Sequence, residues 1–256
     1  MRTRLASAIA RRYGAAIDPP AGLVHLDALA ALNERSVCRR YRSDPVPEAL
    51  FRLLCATALA APTKSDLQQA TIIRVADPAK RAAIAALLPG SPWLAGAPEL
   101  LVFCADGWRF RRLFEKRKAR FVNEHLDAFF NAAVDAAIVL SAFVSAAELA
   151  GLGTCPISQI RDHVAKVDAL LELPDWVVPV AGLALGFASS KEPLSPRLGL
   201  SATVHTDRYD AAAVERELDA YGARRGKDWV GDKVKQYGVV MRGDFGDFVR
   251  KKRFGV

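Results

Sequence analysis

The sequence predicts an α+β fold: a small, mostly antiparallel sheet flanked by helices, with one long helix at its centre. First, residues 123–150 are apolar on nearly every side, as in a helix buried in a core. Second, short apolar runs at 70–75, 99–104 and 177–187 are typical of strands. Third, runs of helices surround these few strands, which indicates the α+β class.

The long helix is predicted to be the spine of a soluble protein, with no membrane contact. Asn131, Asp135 and Glu148 interrupt its apolar run, and charges at that depth are costly in lipid. Small residues would let a second helix approach closely, as in a dimer: Ala132, Ala133, Ala136 and Ala137. The helix is expected to stop at Gly151, since glycine takes the left-handed conformation that a helix end needs.

The other elements follow in chain order. Helices are predicted at 2–14, 24–33, 47–60, 80–88, 159–171 and 210–221, and a fourth, short strand at 202–206. Residues 108–120 mix bases with aromatics, as nucleic-acid binders do, but a solvated helical excursion is the preferred interpretation. The tail from Gly222 is basic and broken by glycines. The predicted organisation is an N-terminal helical extension at 1–32, one domain at 33–209 and a basic C-terminal helical extension at 210–256.

Composition narrows the class of protein. The 256 residues are 51% hydrophobic and 25% charged, as in an ordinary globular protein with a real core. The net charge of +8 favours anionic ligands such as phosphorylated cofactors, nucleic acid or acidic membranes. The four cysteines lack CxxC or Cys/His spacing, which predicts no metal site and a reducing, cytoplasmic compartment. Residues 1–16 have the Arg- and Ala-rich composition of a mitochondrial presequence, although an amphipathic surface helix is the preferred interpretation.

Two groups of arginines are candidates for binding phosphate. Arg35, Arg39, Arg40 and Arg42 place four cations within eight residues, and Arg197 follows Ser195-Pro196 in a later loop. Arginine recognises phosphate through planar, bidentate hydrogen bonds. Taken singly, an arginine of this kind is more often a solvated surface charge.

Several segments become informative when they are read in order. They are Arg35–Tyr41, Pro62–Gln68, Glu148–Gly153, Pro156–Arg161, Leu173–Pro174, Val178–Gly186 and Pro196–Leu198. This order resembles the FMN-dependent nitroreductase family, especially its oxygen-insensitive, NADPH-preferring branch of nitroreductases and flavin reductases. The resemblance spans about residues 33–209 and implies the family's fold for that domain.

The resemblance implies a role in FMN binding for two arginine segments. Arg35 and Arg39 resemble the first FMN-binding segment, where basic groups meet the phosphate and the pyrimidine edge of the flavin. Ser36 and Val37 lie between them and would contribute mainly backbone. Arg197 resembles the phosphate-binding arginine near the C-terminal side.

Two further segments complete the implied cofactor site. One resembles the segment that reaches the flavin across a subunit interface: Thr63, Lys64, Ser65 and Gln68. The other resembles the loop whose backbone N–H faces the flavin N5: Pro156, Ile157, Ser158 and Gln159. Arg224 and Arg225 are weak candidates for the 2′-phosphate of NADPH. Because the flavin itself performs the chemistry, no catalytic side chain is expected.

The sequence departs from the family pattern at several positions. Val37 stands where many relatives have Ser, and Ser158-Gln159 replaces a Gly-containing pair. Ser195 occupies the place of a Lys that often accompanies the phosphate arginine, and Lys191, Arg40 or Lys64 are candidates to replace it.

The predicted function is a flavin oxidoreductase that uses NADPH or NADH to reduce nitroaromatics, quinones or free flavin by ping-pong hydride transfer. The resemblance adds a homodimer with FMN sites at its interface and an exchanged strand near 202–206. Two alternatives stay open at this point. One is a basic adaptor that binds nucleic acid and has lost flavin; the other is an FMN oxidase or reductase of a specialised metabolite.

Overall fold

The computed structural model describes residues 1–190 and 192–256, so Lys191 lies outside the described residues. The chain forms two compact units. The first consists of Met1–Ser36 and Glu192–Met241, and is called the helical unit below. The second consists of Val37–Lys191 and Arg242–Val256, and is called the sheet unit.

The described residues contain ten helices and four strands. The helices are α1 (Arg2–Tyr13), α2 (Leu26–Asn33), α3 (Glu48–Leu59), α4 (Pro78–Ala86), α5 (Trp108–Lys116), α6 (Leu126–Leu149), α7 (Val164–Leu171), α8 (Ala211–Arg225), α9 (Trp229–Tyr237) and α10 (Phe245–Lys251). The strands are β1 (Ala70–Arg74), β2 (Glu99–Asp106), β3 (Gly153–Ile157) and β4 (Val177–Gly186). The α+β class is confirmed.

The sheet is fully antiparallel and has the strand order β1-β2-β4-β3. All eight residues of β2 are buried, because helices and neighbouring strands cover the strand completely. A strand of this kind is a continuous apolar run rather than an alternating one, and the sequence shows that pattern for both β2 and β4.

No strand is predicted at 153–157, yet β3 lies there and forms an edge of the sheet beside β4. The composition of this segment does not predict a strand, because glycine and proline are rare in strands. An edge strand tolerates Pro156, which lacks an N–H group. Gly153 is required by close packing: a Cβ atom there would lie 2.6 Å from the Cys38 Sγ atom.

The spine helix α6 packs one face on the sheet. Its buried residues include Ala132, Ala136, Val139, Phe143 and Ala147, which share that face. The Phe143 ring meets Phe103 of β2 edge-on, with ring centroids 5.7 Å apart. At the end of α6, Gly151 has φ +84°, which confirms the predicted left-handed stop.

The other face of α6 is exposed in the single chain. Leu126, Phe130 and Val134 are 61%, 60% and 37% exposed. One chain therefore covers only part of the apolar surface of this helix. By length and composition α6 would also pass as a membrane span, but its packed face and its buried Asp135 identify it as a core helix.

Two other predicted elements are wrong. Residues 202–206 form no strand; a 3-10 turn covers Leu200–Ala202. The N–H groups of Thr203 and Val204 both bond back to the Leu200 carbonyl, at 3.1 and 2.8 Å, so they are used in a turn rather than a ladder. The helix predicted at 159–171 is divided into a 3-10 turn at Ser158–His163 and α7.

The end of the basic tail packs on its own sheet unit, an outcome not considered from sequence. Phe248, Val249 and Phe254 are buried together with Val178 of β4. The ammonium group of Lys252 donates to Asp168 at 2.9 Å and to the Leu173 carbonyl at 2.7 Å. These basic residues therefore serve packing within the chain.

Candidate functional site

A polar cleft of about 400 Å³ lies in the sheet unit. It is lined by Arg39, Gly90, Ser91, Trp93, Cys155, Pro156, Ile157, Ser158 and Gln159. Five of these residues were predicted as cofactor ligands: Arg39 and the four residues 156–159. The structure therefore brings the first and third predicted segments together.

The segment that carries Arg39 is fastened to the edge of the sheet. The Cys38 N–H donates to the Thr154 carbonyl of β3 at 2.8 Å, and the Tyr41 hydroxyl donates to the Cys38 carbonyl at 2.6 Å. Burial, followed by the nearby thiols of Cys38 and Cys155, raises the pKa of Tyr41. The phenol therefore keeps its proton at neutral pH and remains a hydrogen-bond donor.

The third segment supplies both backbone and side-chain polarity to the cleft. Ser158 follows directly after β3 and opens a 3-10 turn, whose first N–H groups have no acceptor within that turn. The Gln159 Oε1 atom accepts a hydrogen bond of 2.8 Å from the hydroxyl of Ser91, which is only 6% exposed. The Gln159 amide is therefore held by a buried partner.

Sequence reasoning missed the loop at 90–93, which supplies Gly90, Ser91 and Trp93 to this cleft. The loop lies more than 60 residues from the other lining segments on the C-terminal side, and nothing in its own composition marks it as a site. The sequence gives only a weak indication of this part of the site: Ser91 and Trp93 lie a few residues before the predicted strand at 99–104.

Two further arginines adjoin the third segment. Arg161 lies in the 3-10 turn and donates to the Val180 carbonyl, and burial, together with the charge of Arg242, lowers its pKa. Arg242 pairs with Asp162 and donates to the Ser158 hydroxyl at 3.4 Å. Arg161 ends the family segment Pro156–Arg161, but the sequence predicts no role for it. The sequence does not predict Arg242 as a site residue.

The second predicted segment is organised by the spine helix. Asp135 is 2% exposed and accepts hydrogen bonds from the Thr63 hydroxyl, from the Lys64 N–H at 3.0 Å and from the Gln69 N–H at 3.0 Å. These bonds hold Ser65 and Gln68 at φ values of +49° and +51°, which L-residues adopt at a cost.

This second segment lines a different, smaller cleft of about 110 Å³ with Arg109 and Asp135. Within one chain, Thr63 and Gln68 thus lie outside the lining of the larger cleft. Lys64 and Ser65 are exposed. The prediction that this segment serves a flavin across a subunit interface stays a prediction.

Val37, the next predicted residue, belongs to the sheet unit and packs partly buried against its core. The other predicted residues belong to the helical unit: Arg35, Ser36, Arg197, Arg224 and Arg225. The Arg197 guanidinium is exposed and donates to the carbonyls of Ser195 and Pro196, at 3.4 and 3.1 Å. Arg224 pairs with Glu217, and the hydrogen bond between them lowers the pKa of that carboxyl. The Arg225 guanidinium lies 6.0 Å from the centre of the Tyr221 ring.

Other chemistries find little support in these side chains. Among the described residues, no group of three or more His, Cys, Asp or Glu side chains is placed to hold a metal ion. Cys155 borders the larger cleft, and Cys38 lies beside its wall; both are buried.

Several known proteins are similar to this chain. The model of the nitroreductase family matches residues 32–187. The chain is 33% identical to the FMN reductase [NAD(P)H] of Bacillus subtilis over 72% of this chain and 74% of that protein. It is 32% identical to the oxygen-insensitive NADPH nitroreductase of Salmonella typhimurium over 74% and 80% of the two chains. The solved structure of NfrA2 from B. megaterium superposes with a TM-score of 0.81 and 29% identity, covering 90% of this chain and 98% of that one.

Proposed function

This chain belongs to the nitroreductase family and is an NAD(P)H-dependent flavin oxidoreductase, and we propose that its oxidants are nitroaromatics, quinones or free flavins. A specialised metabolite is the alternative oxidant. The observation that carries the proposal is the 400 Å³ cleft in which Arg39 meets residues 156–159.

The residues present in that cleft fit FMN. Its volume is within the range of small-molecule and cofactor sites, about 300–1,000 Å³. Arg39 supplies a cation, Trp93, Pro156 and Ile157 supply apolar surface, and the turn at Ser158 supplies N–H groups. When bound, FMN accepts a hydride from the nicotinamide and passes it to the oxidant.

In this proposal the protein orients the cofactor and stabilises its added negative charge. A cation such as Arg39 favours the reduced, anionic flavin, and an N–H group directed at the ring stabilises the same form. Arg35, Ser36, Val37 and Arg197 are the proposed further contacts. No side-chain acid or nucleophile is required.

The alternative of a nucleic-acid adaptor is less well supported. The relatives named above are reductases, and they match most of this chain. The basic run at 108–120 also has internal partners: Arg111 is 4% exposed and pairs with Glu124 at 2.6 Å, while Phe110, Phe114 and Phe121 pack edge-on against one another.

The first test is the absorbance spectrum of the purified protein. We expect flavin bands from non-covalent FMN, released by heat or acid and identified by chromatography. An apoprotein that stays colourless after incubation with excess FMN would contradict the proposed function.

We further propose that the working enzyme is a homodimer. The exposed stripe of Leu126, Phe130 and Val134 on α6 is the apolar surface that a second copy would cover, since contiguous apolar patches on soluble proteins usually mark interfaces. The second predicted segment, at 62–68, would then contribute to the partner's flavin site.

The dimer is tested by analytical ultracentrifugation at micromolar concentration. We expect a dimer for the wild type and a monomer or weakened dimer for Phe130→Asp, because a buried unpaired charge is costly. Val240→Asp is the matched control, because Val240 is 90% exposed and lies off this stripe, and it should leave the dimer intact. Phe110→Asp is unsuitable as a control because the Phe110 ring packs against other rings of the same chain. A stable, flavin-loaded wild-type monomer would refute the proposal.

Donor and location are also proposals. NADPH is favoured over NADH by the net charge of +8, which suits the extra phosphate of NADPH. A cytoplasmic location is proposed because thiols at Cys38, Cys55, Cys104 and Cys155, none of them in a disulfide, suit a reducing compartment.

A further inference from the structure

Helix α1 lies outside the part of the chain that matches the family, yet it carries a buried arginine. The match covers residues 32–187, whereas α1 covers Arg2–Tyr13. Arg12 near its end is only 5% exposed. Arginine is almost never buried to this extent unless its donors have hydrogen-bond or charge partners.

Arg12 joins three separated stretches of the helical unit. Its guanidinium donates to the Asn33 carbonyl at 2.9 Å, to the Ser195 carbonyl at 2.9 Å and to the Arg35 carbonyl. The Arg12 carbonyl in turn accepts the N–H of Arg197 at 2.6 Å. Arg35 and Arg197, two of the residues predicted to bind phosphate, are thus both bonded to Arg12.

A second arginine holds Arg197 from its other backbone group. The Arg224 guanidinium donates to the Arg197 carbonyl at 3.2 Å and pairs with Glu217. Glu217 also accepts the Gly199 N–H at 2.7 Å, two residues beyond Arg197. Both peptide groups of Arg197 are therefore fixed, one by Arg12 and one by Arg224.

The Arg197 side chain is left available for an anion. Its guanidinium is exposed, and its hydrogen bonds within the described part of the chain go to the carbonyls of Ser195 and Pro196. No carboxylate among the described residues pairs with it within 4.0 Å, whereas Arg224 is committed to Glu217. A planar guanidinium on a rigid backbone loses little freedom when it binds phosphate bidentately.

We propose that Arg12 and Arg224 are positioning residues that fix the Arg197 backbone and so present its guanidinium to the phosphate of FMN. The proposal rests on the proposed function. It gives α1 a role in cofactor affinity and assigns Arg224 to the support of Arg197 rather than to the 2′-phosphate of NADPH.

The test compares FMN with riboflavin, which has the same ring and no phosphate. Flavin affinities are measured by fluorescence titration of apoprotein for wild type, Arg12→Lys and Arg224→Met. Lysine keeps the charge of Arg12 but lacks its planar fork of donors. In both variants we expect the Kd for FMN to rise about tenfold, which is the loss of one contact to a charged group, while the Kd for riboflavin stays within about twofold.

Matched controls separate positioning from general damage. Arg4→Lys changes an exposed arginine of the same helix, which pairs with Glu34, and Arg216→Met changes an exposed arginine beside Glu217 on α8. Both should leave both affinities unchanged. Urea unfolding of every apoprotein identifies variants that fail to fold; if Arg12→Lys is one of them, Arg224→Met alone decides the question.

The outcomes are distinct. Equal weakening of FMN and riboflavin, or no change in either, would overturn the proposal and leave the proposed function standing. Weaker NADPH binding by Arg224→Met with unchanged FMN affinity would also overturn it and return Arg224 to the donor site. A wild-type protein that binds neither flavin would refute the proposed function, and this proposal with it.

Discussion

Replacing Asp135 with alanine is expected to lower the free energy of unfolding by about 3–5 kcal/mol. The buried Asp135 carboxylate accepts three hydrogen bonds. Each donor that is left buried and unpaired costs about 1–3 kcal/mol. The donors are the Thr63 hydroxyl and the N–H groups of Lys64 and Gln69. Gln69 is 3% exposed, so water does not readily replace its lost acceptor. Urea unfolding followed by circular dichroism measures the change.

The same substitution should release the loop that Asp135 holds. Ser65 and Gln68 sit at positive φ, a conformation that costs free energy and persists only while the surroundings enforce it. We expect faster amide hydrogen exchange across 63–69 in Asp135→Ala and an intermediate effect in Asp135→Asn, which keeps one acceptor oxygen.

Asp127→Ala is the matched control for this prediction. It removes a carboxylate from the first turn of the same helix, where Asp127 is exposed and accepts only the Asn131 amide at 2.7 Å. An exposed interaction of this kind contributes about 1 kcal/mol or less. If Asp135→Ala and Asp127→Ala unfold at the same urea concentration, Asp135 is not the anchor of the loop.

Long apolar runs made the centre of this fold predictable. The spine helix, β2 and β4 are each continuous hydrophobic stretches in the sequence. Burial on both faces of the sheet produces that pattern in β2 and β4, whereas one face of the helix is exposed in the single chain. The end of the spine helix at Gly151 was also predictable, because few residues other than glycine end a helix in the left-handed conformation. Each of these features is specified by residues that are neighbours along the chain.

The features that were missed depend on partners far apart in sequence. β3 is a strand because β4 pairs with it and because Gly153 fits against Cys38, although its own composition disfavours a strand. Asp135 was recognised only as an interruption of an apolar run, since the groups it holds lie 66–72 residues away. Arg12 reaches the Ser195 carbonyl across 183 residues.

The candidate site shows the same division. The segment 156–159 and Arg39 were found because the order of family segments marks them, and the structure places them in one cleft. Ser91 belongs to no such segment, and only the fold brings its hydroxyl to Gln159. The family pattern therefore predicts which of its own segments line the cleft, and the fold identifies the residues that support them.

Arg197→Ala is expected to weaken FMN binding by roughly ten- to a hundredfold. The substitution would remove the proposed charge-assisted, bidentate contact to phosphate. Hydrogen bonds to charged groups contribute about 1.5–3 kcal/mol, and about 1.4 kcal/mol corresponds to one decade of affinity. We expect the upper half of this range, because the neighbouring Ser195 supplies no second cation to share the phosphate.

The loss should appear as flavin that dissociates on dilution, with turnover restored by excess FMN. The phosphate contact is made equally before and after hydride transfer, so it stabilises binding without changing the chemical step. Arg208→Ala is the matched control: it removes one exposed cation from the same unit and should change neither affinity nor turnover.

A nucleic-acid adaptor would respond differently to Arg197→Ala. Because Arg197 is one of 36 Lys and Arg residues, the adaptor would lose only a small, salt-dependent part of its affinity for nucleic acid. Flavin titrations of both variants, followed by turnover at saturating FMN, decide the matter: unchanged FMN affinity would remove Arg197 from the site, and turnover that excess FMN cannot restore would show that it acts on the chemical step.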